Sequence, residues 1–295
     1  MIELQNVCKS FDGVSAVNDV SLKVQPGRIM GFLGPNGAGK TTTLRIIMNI
    51  LQPDTGKILF GGSDQRPATS KVGYLPEERG LYQKISVQET IRYFARLRGL
   101  HQPDQRCEEY LERFELAERA QAKVQELSKG NQQKLQFINT IIHDPHYIVL
   151  DEPLSGLDPV NQLVFKEILT ELKVQGKTII FSSHQMDQVE KLCDDVALVN
   201  KGNLILSGSL AEIRATHGQM TIEVIPSNAG DLDHDLFREL GGKRIDSRIL
   251  IPMEDISQKQ SLFTRLNENM DIKSLRQAEP GLEEIFINTV RGGVA

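Results

Sequence analysis

The sequence predicts an α/β fold with a mixed sheet as its core, followed by a smaller α+β unit. Two observations predict the first part. A glycine-rich loop at 34–41 separates an apolar strand pattern from a helical pattern. In addition, the short apolar runs 147–150 and 178–181 are joined by a helical pattern at about 160–173. A strand, a helix and a strand in this order form a parallel βαβ unit.

The loop at 34–41 fits the pattern G-x-x-x-x-G-K-[ST] at every required position. Backbone N–H groups in such a loop face the phosphates of a nucleoside triphosphate, the lysine reaches the β- and γ-oxygens, and the final hydroxyl binds Mg²⁺. The run 28–33 predicts a buried strand, and 42–51 predicts a helix whose positive end faces the phosphates. The predicted nucleotide-binding residues are Gly34, Asn36, Gly37, Ala38, Gly39, Lys40, Thr41 and Thr42, with Thr41 also a metal ligand.

Two adjacent carboxylates, Asp151 and Glu152, follow the apolar strand pattern 147–150. Ligands of α/β sheets bind at the carboxyl ends of the strands. We therefore expect Asp151 to hold Mg²⁺ from the side opposite Thr41, and Glu152 to orient or deprotonate the attacking water.

Other patterns extend this architecture. Alternating residues at 2–9 and 20–24 predict an antiparallel β layer ahead of the loop, with a turn at Asp12 and Gly13. Strand patterns follow at 56–60 and 71–74. Residues 86–143 have apolar side chains at helical spacing and predict a helical segment.

Composition restricts the possible partners. The chain of 295 residues has a formal net charge of −5, so no overall positive field favours nucleic acid or an anionic membrane surface. Three widely spaced cysteines without a C-x-x-C pair argue against a disulfide framework or a zinc site and favour the reducing cytoplasm. No apolar run approaches 18 residues, and the N-terminus lacks a signal-peptide pattern. We therefore expect any membrane span to belong to another chain.

Residues 127–131, Leu-Ser-Lys-Gly-Asn, resemble the L-S-G-G-Q signature of the ATP-binding cassette (ABC) family and precede the Asp-Glu strand, as in that family. Further motifs agree. The run 155–158 resembles the D-loop of the family, His184 its switch histidine, and Phe11 the aromatic residue that stacks on adenine. The resemblance covers residues 1 to about 215.

The resemblance implies a P-loop NTPase cassette with a helical signature subdomain at about 86–143, and an ATPase that uses ATP and Mg²⁺. It also implies that His184 senses the γ-phosphate. Ser128, Gly130 and Asp158 would act on ATP held by a second cassette, in a head-to-tail dimer that we expect to be a homodimer. Taken alone, Phe11 would be a core aromatic, His184 an interior histidine and Ser128 a helix N-cap.

Two departures from the family pattern concern the site. Lys129 and Asn131 replace Gly and Gln of the signature, and Lys129 either adds positive charge near the γ-phosphate or points to solvent. Glu77 stands where the family usually has a glutamine that contacts Mg²⁺ and the attacking water. We expect Glu77 to keep a catalytic and metal-binding role and to make turnover more sensitive to pH.

The resemblance to single-cassette exporters implies a separate integral membrane permease, which would hold the chain on the inner face of the cell membrane. Its docking groove would run from Glu77 to about Arg98, and Tyr82 in that groove is either a docking contact or core packing. A soluble switch acting on a nucleic-acid or ribosomal partner is the alternative function. The lack of a basic face, a second cassette or a coiled coil disfavours it, and the complete set of motif residues disfavours a module without hydrolysis.

Residues 216–295 predict a small accessory α+β domain. Strand patterns lie at 220–225, 244–253 and 272–277, the second of them a strand or a hairpin around Asp246 and Ser247. Helical patterns lie at 231–240, 257–269 and 281–290. The order is compatible with a split βαβ arrangement. The motif at 280–286, which begins with Pro280, resembles an accessory domain on cassettes of drug, lipid or sodium exporters and favours export.

Overall fold

The structure, a computed structural model, divides the chain into two compact units, Met1–Leu210 and Ala211–Ala295. The sequence predicts the boundary at about residue 215. The structure describes residues 1–78, 80–217, 221–233, 235–245, 247–253, 259–278 and 281–292. The predicted positions Met220, His234, Asp246, Ser257 and Pro280 lie outside the described residues.

The described strands of the first unit form one nine-stranded sheet. Their bounds are β1 Ile2–Phe11, β2 Val14–Val24, β3 Arg28–Leu33, β4 Thr55–Phe60, β5 Val72–Leu75, β6 Tyr147–Asp151, β7 Thr178–Ser183, β8 Asp195–Asn200 and β9 Asn203–Ser209. The order is β4-β1-β2-β9-β8-β3-β7-β6-β5. Strands β4, β1 and β2 pair antiparallel, which confirms the predicted β layer.

Strands β8, β3, β7, β6 and β5 form the parallel part of the sheet. Residue Ser182 of β7 is in register with Phe32 of β3 on one side and with Asp151 of β6 on the other. Because the strands run in the same direction, the ends of β3, β6 and β7 meet at one edge of the sheet. This edge carries the phosphate loop and both predicted carboxylates.

The helices of the first unit are α1 Lys40–Ile47, α2 Val87–Leu97, α3 Asp104–Arg113, α4 Lys129–Ile141, α5 Pro159–Val174 and α6 Met186–Glu190. Helix α7, Leu210–His217, begins at the last residue of the first unit and continues into the second. Among the described residues, no helix has both the length and the apolar character needed to cross a bilayer.

Helix α1 is shorter than the predicted 42–51. It ends at Ile47 because Asn49 takes a left-handed conformation with φ of +59°, which ends the helical path. The N–H groups of Ile50 and Leu51 turn back to the Arg45 carbonyl. Residues 48–51 therefore form a turn after the helix.

The segment 86–143 contains helices α2 to α4, as predicted. Ser86 begins α2 with a capping box, in which its hydroxyl accepts from the Glu89 N–H and the Glu89 carboxylate accepts from the Ser86 N–H. Phe137 of α4 stacks on Phe165 of α5 with ring centroids 4.3 Å apart. This contact ties the helical segment to a helix that flanks the sheet.

The second unit forms a four-stranded antiparallel sheet of order β11-β12-β10-β13. Its elements are β10 Thr221–Pro226, α8 Asp235–Glu239, β11 Lys243–Ile245, β12 Arg248–Pro252, α9 Lys259–Asn267, β13 Ile272–Ala278 and α10 Leu282–Gly292. The order β-α-β-β-α-β and the central position of β10 confirm the split βαβ arrangement. The predicted helix 231–240 is instead a 3₁₀ turn, Ala229–Asp233, and the short α8.

Candidate functional site

The phosphate loop has a backbone conformation that requires glycine. Gly39, which immediately precedes α1, has a φ of +102°, and a Cβ added there would lie 2.2 Å from the Ala16 carbonyl oxygen. Gly37 has a φ of +78° and faces open space. The buried Ala38 carbonyl accepts from the Gly202 N–H at 3.0 Å, which fastens the loop to the turn between β8 and β9.

Lys40 lies under this loop with its side chain only 7% exposed. Its Nζ donates to the carbonyl oxygens of Gly34 and Pro35 at 2.8 and 3.2 Å. Thr41 and Thr42 lie half-buried in the first turn of α1, and Asn36 is exposed at the top of the loop. The loop therefore combines a fixed positive charge with the N-terminus of a helix, which favours an anionic ligand.

Three charged or titratable side chains meet beside the loop. Glu152 Oε1 lies 3.8 Å from Lys40 Nζ and 3.0 Å from His184 Nδ1. Because an ionised carboxylate only accepts hydrogen bonds, His184 Nδ1 carries the hydrogen of that contact, and Nε2 stays available for a second partner. The Glu152 side chain is 11% exposed and that of His184 is 43% exposed. His184 is therefore not an interior histidine.

Asp151 is fully buried at the end of β6. Its Oδ1 accepts from the Ser182 hydroxyl at 2.5 Å, whereas its Oδ2 is buried and has no hydrogen-bond partner among the described residues. A buried carboxylate oxygen without a partner is costly unless a ligand satisfies it. A hard cation such as Mg²⁺, or water bound to it, suits that oxygen. The residues present therefore fit the predicted metal.

Phe11 lies at the end of the hairpin formed by β1 and β2, where Asp12 and Gly13 both have positive φ values. Its side chain is 44% exposed, so it is not a core aromatic. Phe11 pairs with Val14 across the turn, and Ala16, two residues further on, lies against Gly39. The hairpin that carries Phe11 therefore reaches the phosphate loop through Ala16.

The signature and D-loop residues form one neighbouring surface. Ser128 caps α4 by accepting from the Asn131 N–H, and Asp158 caps α5 by accepting from the Asn161 N–H at 3.0 Å. The latter hydrogen bond holds the pKa of Asp158 below its ordinary value. A Cβ on Gly130 would lie 3.6 Å from the Gly156 carbonyl, so the two motifs adjoin. No described hydrogen bond joins this surface to Lys40 of the same chain.

Glu77 is exposed just after β5 and makes no hydrogen bond to the described residues. Burial raises the pKa of the Tyr74 hydroxyl, and the charges of Asp151 and Glu77 raise it further. Glu77 follows the end of β5, which pairs with β6, and no described hydrogen bond or ion pair joins it to Lys40 or Glu152. Its metal and catalytic roles stay predictions, as does the role of the exposed Lys129.

One site residue was not assigned a role from the sequence. Ser182 stands in an apolar strand two positions before His184, and only the structure shows that it contacts the Asp151 carboxylate and the Glu152 backbone N–H. This edge of the sheet therefore has a loop that can bind phosphates and an unpartnered carboxylate oxygen that can bind a cation. It also has a second carboxylate next to a lysine and a histidine. This arrangement suits phosphoryl transfer to water.

Comparisons with known proteins agree with this geometry. A family profile described as ABC transporter matches residues 17–155. A second, described as the C-terminal domain of ATP-binding protein DrrA1-3-like, matches residues 208–290. The solved dimeric structure of a post-hydrolysis state of the ATP-binding cassette MJ0796, bound to ADP and Pi, superposes with a TM-score of 0.65 at 22% identity, over 71% of this chain and 99% of that one. At this identity the superposition shows the fold alone.

Two full-length relatives extend the comparison. The uncharacterized ABC transporter ATP-binding protein YhaQ of Bacillus subtilis is 39% identical over 98% of both chains. The Nod factor export ATP-binding protein I of Burkholderia pseudomallei is also 39% identical, over 97% of this chain and 95% of that one. The chain therefore belongs to the family of ABC transporter ATP-binding proteins.

Proposed function

We propose that this chain is the ATP-hydrolysing subunit of an exporter, and that ATP-driven closure of two cassettes powers efflux through a separate membrane permease. The observation that carries the proposal is the meeting of Lys40, Asp151, Glu152 and His184 at one edge of the parallel sheet. At this edge Lys40 supplies positive charge for phosphates, Asp151 supplies a carboxylate for a metal, and Glu152 supplies a base.

The phosphate loop binds the triphosphate. The backbone N–H groups around Gly37 and Gly39 and the N-terminus of α1 face the phosphates, and Lys40 neutralises the β- and γ-oxygens. Lys40 exchanges its bonds to the Gly34 and Pro35 carbonyls for the phosphate oxygens. Phe11, whose ring is exposed, stacks on the adenine.

Thr41 and the free oxygen of Asp151 would hold Mg²⁺, with Glu77 as the predicted third contributor. The bound ion would supply positive charge that offsets the negative charge developing on the phosphates during transfer. Among the described residues, no cluster of three or more His, Cys, Asp or Glu side chains is arranged for a metal.

Glu152 acts on the attacking water. Its carboxylate orients the water and accepts its proton, while Lys40 and His184 hold the carboxylate in place. His184 contacts Glu152 through Nδ1, and it bonds a γ-phosphate oxygen through Nε2 only when that nitrogen also carries a hydrogen, as in the imidazolium ring. In this way the histidine connects the presence of the γ-phosphate to the position of the base.

A second copy of the cassette completes the site. Ser128 and Gly130 lie at the N-terminus of α4, where backbone N–H groups favour an anion, and Asp158 lies on the adjoining loop. This surface contacts the γ-phosphate held by Lys40 of the partner in a head-to-tail homodimer. ATP then bridges the two copies, and hydrolysis followed by phosphate loss releases them.

The permease docks beside Glu77. Tyr82 is 54% exposed, which supports a docking contact rather than core packing, and its ring lies 5.7 Å from that of Tyr93 and 6.2 Å from that of Phe94. Leu97, also exposed, extends this apolar surface along α2. Export is supported by the relative named for Nod factor export. The chain would then be cytoplasmic and peripheral on the inner face of the membrane.

The experiment that tests this function is ATP hydrolysis by the purified chain over a range of protein concentrations, with dimer formation followed by light scattering. We expect turnover to rise as the dimer forms. Glu152→Gln should still bind ATP and form a stable dimer, but its turnover should fall by about 100-fold or more. Glu167→Gln, which changes an exposed glutamate on α5, is the matched control and should keep wild-type turnover.

Unchanged turnover in Glu152→Gln would remove Glu152 from its role as the base. ATP binding without dimer formation at any concentration would contradict the homodimer. Recovery of the tagged chain in the soluble fraction of its host, bound to ribosomes or nucleic acid and not to membranes, would favour the alternative switch function.

A further inference from the structure

Ser182 hydrogen-bonds to both acidic residues of the site, to the carboxylate of Asp151 and to the backbone of Glu152. Its hydroxyl donates to Asp151 Oδ1 at 2.5 Å and accepts from the Glu152 backbone N–H at 3.0 Å. The side chain is fully buried. A serine hydroxyl has one donor and can accept two bonds, so its only hydrogen is committed to Asp151.

The register of the sheet explains this placement. Ser182 is the fifth residue of β7, a strand in which every residue is buried, and it is paired with Asp151 of β6. The first four residues of the strand are Thr, Ile, Ile and Phe. A hydroxyl so far inside the sheet needs polar partners, and the ends of two neighbouring strands supply them.

For Asp151, the contact fixes the direction of the carboxylate. Oδ1 is held by Ser182, so Oδ2 is the oxygen left without a partner. Without the hydroxyl, the plane of the carboxylate would be less restricted. The contact therefore fixes the orientation in which the unpartnered oxygen is presented to a metal.

For Glu152, the contact holds an unfavourable backbone conformation. Glu152 has a φ of +49°, in the left-handed region that is uncommon for residues other than glycine. Its N–H is anchored on Ser182, and its side chain reaches Lys40 and His184. The Ser182 hydroxyl thus stabilises the backbone conformation that directs the Glu152 side chain toward Lys40 and His184.

We propose that Ser182 is a positioning residue for ATP hydrolysis, which orients Asp151 toward Mg²⁺ and holds Glu152 toward the attacking water. The inference rests on the proposed function, because it uses the roles of both carboxylates. It adds a residue that touches neither nucleotide nor metal and that acts on both steps through one hydroxyl.

Ser183 provides a matched control. It is the next residue on the same strand, is 2% exposed, and accepts from the Gln185 N–H at 3.0 Å. A serine that only stabilised the end of β7 would behave as Ser183 does. A positioning serine would change metal dependence and kcat.

The test compares Ser182→Ala, Ser182→Thr and Ser183→Ala with the wild-type chain. Three quantities are measured: kcat and KM for ATP, the Mg²⁺ concentration at half-maximal binding of a fluorescent ATP analogue, and Tm. For Ser182→Ala we expect kcat to fall by about tenfold or more and the Mg²⁺ midpoint to rise several-fold, because both carboxylates lose their alignment. Binding of the analogue in EDTA should stay as in the wild type.

The threonine variant keeps a hydroxyl and suits a strand, so it should recover kcat to within about threefold of the wild type. Ser183→Ala should stay within about twofold in kcat and in the Mg²⁺ midpoint. Equal behaviour of Ser182→Ala and Ser183→Ala in both quantities would overturn the positioning role, whatever their Tm values. A wild-type Mg²⁺ midpoint in Ser182→Ala would also overturn the proposed orientation of Asp151.

These outcomes are separable from those of the proposed function. If Glu152→Gln is inactive and Ser182→Ala is unaffected, the function stands and the positioning role fails. If Glu152→Gln turns over normally, the assignment of the base fails, and the Mg²⁺ midpoint of Ser182→Ala still decides whether Ser182 orients Asp151.

Discussion

Each unit of this protein buries a carboxylate on a strand, and the two differ in how they are satisfied. Asp151 in the first unit is 0% exposed, with one oxygen on Ser182 and the other unpartnered among the described residues. Glu223 in the second unit is 3% exposed and has both oxygens paired, with Arg276 Nε at 2.6 Å and Arg248 Nη1 at 2.8 Å.

Asp151 therefore has an oxygen available for a ligand, whereas Glu223 stabilises the fold. A buried carboxylate with a free oxygen lowers stability in the absence of a ligand, and binding energy can offset that cost. A carboxylate bracketed by two guanidinium groups has no free oxygen to offer, and its charge is compensated within the sheet. Activity and stability should therefore respond in opposite ways when each is neutralised.

The largest expected effect is on turnover in Asp151→Asn. Asparagine keeps the size of the side chain but cannot supply a negative oxygen to Mg²⁺, so we expect kcat to fall by about 100-fold or more. Because a buried charge is removed, the Tm measured without nucleotide should stay constant or rise. Parallel measurements of ATP hydrolysis and calorimetric Tm check both. A clear fall in Tm with retained turnover would mean that Asp151 is structural.

Neutralising Glu223 should give the reverse result. Glu223→Gln removes the charge that both arginines contact, and we expect the free energy of unfolding at pH 7 to fall by about 1–2 kcal/mol with unchanged kcat. Glu239→Gln is the control, since Glu239 forms an exposed pair with Arg265. Hydrogen exchange in peptides covering β10 to β13 should localise the loss to the second unit.

The loss of stability in Glu223→Gln should depend on pH. The hydrogen bond from Arg276 is the main cause that lowers the pKa of Glu223 from its ordinary value of 4.5. A lowered pKa in the folded state contributes stability above the unfolded value, and this contribution is lost as the pH falls through the folded value. The Tm difference between wild type and Glu223→Gln should therefore be full at pH 7 and shrink below about pH 4.5. A difference that does not change with pH would contradict the ion-pair account.

Sequence reasoning succeeded where the signal is local. The phosphate loop is contiguous, and each of its residue types has its own task, so 34–41 predicted a strand, a turn and a helix that the structure contains. The end of α1 was placed too late, because the apolar run 46–51 continues the helical pattern. Only the left-handed conformation of Asn49 shows where the helix stops.

Sequence reasoning failed where a feature depends on pairing between distant strands. The hairpin of β8 and β9 was not predicted, since β9 is half-buried without clear alternation and its place in the sheet is set by β8 and β2. Ser182 is 31 residues from Asp151, and the register of β6 and β7 brings them together. From the sequence alone, a serine in an apolar strand gives no indication of which residue its hydroxyl contacts.

The smallest expected effects are changes in Tm when the two arginines that contact Glu223 are replaced. Arg276 lies directly opposite Glu223 on β13, whereas Arg248 lies diagonally across from it on β12. Either arginine can still neutralise Glu223 when the other is removed. We therefore expect Arg276→Met and Arg248→Met each to lower Tm by about half as much as Glu223→Gln or less, and the double variant to lose more than the sum of the two. Calorimetry on the four chains completes the cycle, with Arg265→Met as a surface-pair control that should leave Tm unchanged. Strict additivity would mean that each arginine acts alone and that Glu223 is not a shared centre of charge.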